Sequence, residues 1–104
     1  MALLHDKLAR QVPVLRDVVK KLTKESGAVK ISDVTLEQAY GGMRGVKALV
    51  CDTSEVPPDK GLIIRGRPVA QLTGQLPEET LWLLLTGEEP TAAELADLQA
   101  DLRA

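Results

Sequence analysis

Pro77-Glu78-Glu79-Thr80-Leu81-Trp82-Leu83-Leu84-Leu85-Thr86-Gly87, residues 77–87, is the stretch that settles the class of this chain. Proline suits a first helical position, and the two glutamates after it face the positive end of the helix dipole. Gly87 follows the last apolar residue, where helices commonly stop. The spacing predicts a helix over 77–86. Leu81 to Leu85 is apolar all round, so such a helix needs cover on every side.

Downstream, Thr91-Ala92-Ala93-Glu94 is a capping-box pattern. Leu95, Leu98 and Leu102 form the apolar stripe behind it, giving a helix over 91–103 with no stop signal before Ala104. Upstream, Pro68 to Thr73 reads as a short helix ended by Gly74. Val46 to Thr53 and Leu62-Ile63-Ile64 are β-like, and Pro57-Pro58-Asp59-Lys60-Gly61 between them is turn chemistry. An antiparallel hairpin over about 46–65 is the simplest connection. At the start, Leu4, Leu8, Val12, Leu15, Val19 and Leu22 recur at spacings of three and four, the period of a helix over 2–26. Lys20, Lys21 and Lys24 suit its negative end, and Gly27 is the expected C′ residue. Pro13 lies inside the pattern, so the helix kinks or restarts there. Val29-Lys30-Ile31 is extended, and Thr35 to Tyr40 reads as one helical turn capped by Thr35 or Asp33. The fold class is mainly α with a small antiparallel β-hairpin, in one module over 1–104.

The chain has one Trp, one Tyr and no Phe. Its core must therefore be built from Leu, Val, Ile and Ala, and a domain of this size buries a low fraction of its surface. The single Cys51 excludes an internal disulfide and fits a reducing compartment. A net charge of −2 creates no field for nucleic acid or anionic membrane. The longest apolar run, Leu81 to Leu85, is too short to span a bilayer. These features read as a cytoplasmic protein with no nucleic-acid or membrane partner. The two uncovered apolar surfaces, at 77–86 and 91–103, point to a missing partner or remainder.

Tyr40-Gly41-Gly42-Met43-Arg44-Gly45 offers the most chemistry. Its glycines permit backbone angles closed to other residues and leave Arg44 with little steric cover. A guanidinium is a planar fork of donors suited to phosphate or carboxylate. Lys47, Lys60, Arg65 and Arg67 join it if the hairpin folds back. On the residues alone the stretch is a solvated turn or an anion site. It lacks the strand–loop–helix spacing of nucleotide-binding motifs, and Gly-rich turns are common. His5 is the only histidine and reads as solvated on the polar side of the first helix. Cys51 reads as a small buried hydrophobe, and Trp82 as core or interface. Asp52, Glu55 and Asp59 read as a solvated acidic loop without calcium-loop spacing.

Tyr40 to Lys47, then Asp52-Thr53-Ser54, Pro58-Asp59-Lys60-Gly61, Ile64-Arg65-Gly66, and Leu81 to Glu88 with Pro90-Thr91, together resemble the citrate synthase family. The likeness is to its amino-terminal segment in the eukaryotic-type branch and covers nearly the whole chain. It implies the amino-terminal part of a mainly helical large domain with a small sheet. It also implies that Arg44 reaches a phosphate of coenzyme A. The family's catalytic histidines and aspartate lie beyond this segment, so no catalytic residue and no metal ligand is assigned. No covalently bound cofactor is implied; coenzyme A and acetyl-CoA enter as substrates. The isolated chain is then expected to be inactive. It would be a module or small subunit of a tricarboxylic acid cycle acyltransferase, hetero-oligomeric with a large chain that holds the catalytic residues.

Three features depart from the family. Ile63 stands where relatives often carry arginine, the connection from Pro68 to Pro77 is short, and Val56-Pro57-Pro58 replaces a softer turn. The alternatives are a non-catalytic protein that binds and regulates a full-length synthase, and an independent phosphate- or nucleotide-binding module.

Overall fold

A computed structural model describes residues 2–104. The element order is α1 (Ala2–Ser26), α2 (Leu36–Tyr40), β1 (Ser54–Glu55), β2 (Ile63–Ile64), β3 (Arg67–Pro68), a 3₁₀ turn (Val69–Gln71), α3 (Pro77–Thr86) and α4 (Ala92–Arg103). The protein is mainly helical with a small antiparallel sheet, as its sequence pattern predicts. The described residues fall into two compact units: residues 2–16 with 51–104, and Asp17–Val50.

The first unit has its core where α1, α3 and α4 meet. Leu4, Trp82 and Leu98 are buried together, with Leu8 packed against them. Leu83 is fully buried as well. Each such side chain contributes on the order of 1.5–3 kcal/mol when removed from water. Polar contacts fix the helices in register. Leu3 N donates to Asp97 Oδ2 at 3.2 Å, and Gln11 Nε2 donates to Thr86 O at 3.2 Å. The Lys7 ammonium pairs with Glu88 at 2.5 Å and Glu94 at 3.6 Å. It also lies 5.6 Å from the centre of the Trp82 ring, within cation–π range.

The caps follow sequence chemistry. Thr91 Oγ1 accepts from Glu94 N at 3.3 Å, and Glu94 Oε2 accepts from Thr91 N at 2.8 Å. Glu79 Oε2 accepts from Leu76 N at 2.7 Å at the start of α3. Gly87 ends α3 in the left-handed conformation, φ 77°. Helix α3 is covered only in part, since Leu81 and Leu85 remain exposed.

The sheet departs from the predicted hairpin over 46–65. Residues 46–53 form no strand. Ser54 pairs with Ile64 and Glu55 with Ile63, and a third strand follows, with Ile63 opposite Pro68 and Ile64 opposite Arg67. The cause is the loop Arg65-Gly66. Both residues have positive φ, 48° and 78°, the geometry of a two-residue type I′ hairpin turn. Pro68, expected to open a helix over 68–73, has an extended backbone (ψ 137°) and closes β3 instead. Only Val69–Gln71 turns beyond it, as 3₁₀.

Helix α1 runs unbroken through Pro13 to Ser26, and its residues from Asp17 onward begin the second unit. Gly27 is required by close approach rather than by a left-handed angle: a Cβ there would lie 2.3 Å from Thr23 O. Thr35 caps α2, accepting from Gln38 N at 3.2 Å, while Gln38 Oε1 accepts from Thr35 N at 3.0 Å. No residue from 17 to 50 is buried.

Candidate functional site

Arg44 stands in a turn whose backbone is pinned by local bonds. Met43 N donates to Gln38 O at 2.7 Å and Val46 N to Met43 O at 3.1 Å. Gln38 Nε2 donates to Arg44 O at 3.4 Å. Gly42, Met43 and Gly45 all have positive φ, at 80°, 61° and 74°. Left-handed angles suit glycine and strain Met43, by about 1–2 kcal/mol. The turn raises Arg44 into solvent. Among the described residues its guanidinium has no ion pair or side-chain hydrogen bond. A cation held so, with its donors unspent, can receive an anion without first breaking an internal pair. Lys47 shares this unit with Arg44, whereas Lys60, Arg65 and Arg67 belong to the other.

Arg65 is differently placed. Its Nε donates to Leu84 O at 3.1 Å near the end of α3, where unpaired carbonyls carry partial negative charge. Its Nη1 lies 3.5 Å from Asp52 Oδ2, and its backbone N donates to Thr53 O at 2.9 Å. The side chain is 19% exposed. The Arg65–Asp52 pair stands between two clefts. One, of about 190 Å³, is lined by Cys51, Asp52, Glu55, Ile63 and Arg65. The other, of about 350 Å³, is lined by Arg10, Val14, Leu15, Asp52, Arg65 and Leu85. An anion approaching Nη1 of Arg65 would compete with Asp52, and Nε is already used by Leu84 O. Arg67 is likewise engaged: its Nε lies 3.6 Å from Glu89 Oε1, which also accepts from Gln75 Nε2 at 3.2 Å.

The structural role of Arg65 is not assigned from sequence. The available signal was an Xaa-Gly pair flanked by extended residues, the signature of a two-residue hairpin loop. Lys7, which joins α1 to α3 and α4, had no such signal.

Cys51 is exposed, contrary to its reading as a buried hydrophobe, because residues 46–53 lack a strand partner to cover them. Its thiol lies 3.4 Å from Thr53 Oγ1 and 3.6 Å from Ser54 O. The Thr53 hydroxyl draws its pKa below the ordinary value. His5 is exposed. Trp82 is core, fully buried. Asp52 stays largely in solvent, as read, and also pairs with Arg65. No group of three or more His, Cys, Asp or Glu among the described residues could hold a metal ion. No described helix is long and apolar enough to cross a membrane.

Residues 42–104 match the family model described as "Citrate synthase, C-terminal domain". The mitochondrial citrate synthase of Saccharomyces cerevisiae is 43% identical over 111 residues, covering 97% of this chain and 23% of that protein. The peroxisomal citrate synthase of the same yeast is 41% identical, over 95% of this chain and 24% of its own length. The mitochondrial 2-methylcitrate synthase of Yarrowia lipolytica is 43% identical, over 94% and 23%. The chain thus spans about a quarter of the length of the curated relatives it matches. Their names overturn the cytoplasmic assignment: the first of these yeast enzymes and the relatives from Aspergillus niger and Daucus carota are mitochondrial citrate synthases. Charge balance and one cysteine carry no address, so composition had no means of naming the compartment. On the match to more than half its residues, this chain belongs to the citrate synthase family.

Proposed function

We propose that the chain is the amino-terminal module of a citrate-synthase-type acyltransferase, which condenses acetyl-CoA with oxaloacetate to give citrate and coenzyme A. It is inactive alone and completes a larger chain that holds the catalytic residues. Arg44 supplies a contact to a phosphate of coenzyme A. The observation that carries this reading is the unspent guanidinium of Arg44, held on a turn of three left-handed residues within a chain of this family. The hydrogen bonds around the turn fix its backbone, so little conformational freedom is lost when the arginine meets a phosphate.

The test is reconstitution. The chain is combined with the citrate-synthase-type polypeptide of the same genome that carries the remaining sequence. Release of free thiol from acetyl-CoA and oxaloacetate is then followed. Activity is expected only for the pair; full activity of the larger chain by itself defeats the subunit reading. Within the active pair, Arg44→Ala should raise the apparent KM for acetyl-CoA about tenfold, the worth of one charge-assisted hydrogen bond. The KM for oxaloacetate should stay nearly constant. Equal effects on both substrates would remove the phosphate role.

A further inference from the structure

We draw no further inference here: the strongest candidate, the cleft of about 350 Å³ between α1 and the end of α3 where Arg10 and Arg65 border the apolar side chains of Val14, Leu15 and Leu85, carries nothing because nothing in the structure shows what covers it.

Discussion

Arg65 adopts φ 48° in a two-residue loop where glycine or asparagine is the usual choice. The left-handed angle costs a residue with a Cβ about 1–2 kcal/mol. What holds it there is the side chain, donating to Leu84 O and facing Asp52. The two effects can be separated by substitution. Arg65→Ala keeps the strain and loses the contacts, and should lower stability by about 1–3 kcal/mol. Arg65→Gly loses the same contacts but relieves the strain, so it should be the milder variant by about 1 kcal/mol. Urea titration followed by circular dichroism measures both, and equal losses would show that the backbone angle carries no strain. Arg44 is the opposite case: its backbone is fixed by its neighbours and its guanidinium is left to solvent. Both arginines are visible in the sequence beside glycines. Which of them is spent inside the protein depends on Leu84 and Asp52, residues distant in the chain.

At the scale of elements, α4 shows how far local chemistry reaches. Thr91 and Glu94 satisfy each other's backbone N–H groups, as their spacing predicts. Thr91→Ala should cost about 1 kcal/mol, seen as a fall in Tm of about 4–8 °C for a domain of this size. The same box sets a pH dependence. The Thr91 N–H, followed by the charge of Lys7, holds the Glu94 carboxyl below its ordinary value of 4.5. A depressed carboxyl contributes stability that is present above its unfolded value and lost as pH falls through the folded one. Lys7 is raised above 10.5, chiefly by its bond to Glu88. Its contribution is complete below 10.5 and fades as pH rises through the folded value. Stability should therefore be greatest between these limits, and Glu94→Gln should flatten the acid side of a Tm-against-pH curve while weakening the alkaline side less, since Glu88 still pairs with Lys7. The caps and helix spans could be read from residues within four positions of one another. The third strand could not, because its signal, Arg65-Gly66, looks like an ordinary loop until Ile63 and Ile64 find partners on both sides.

The whole molecule is short of interior. Leu4, Trp82 and Leu98 form the one buried cluster among the described residues, and Trp82 Nε1 has no hydrogen-bond partner within it. Removing a large side chain here should be severe: Leu98→Ala is expected to cost about 2–5 kcal/mol, enough to unfold much of the population. Loss of ellipticity at 25 °C would register it, and an unchanged melting curve would show that the cluster does not hold the fold. By itself the sequence determined the four α-helices, though not the turn at Pro68, together with the Thr35 and Thr91 caps, the glycine turn and the family, since each depends on neighbours in the chain or on residue order. It also pointed to an excess of apolar surface for the chain's length. Only the tertiary structure decided how the regular apolar stripe of α1 divides, with Leu4 buried and Leu22 in water, and which arginine turns inward. Those outcomes depend on what α3, α4 and the sheet bring into contact across long separations, and periodicity along a single helix holds no information about what stands opposite it.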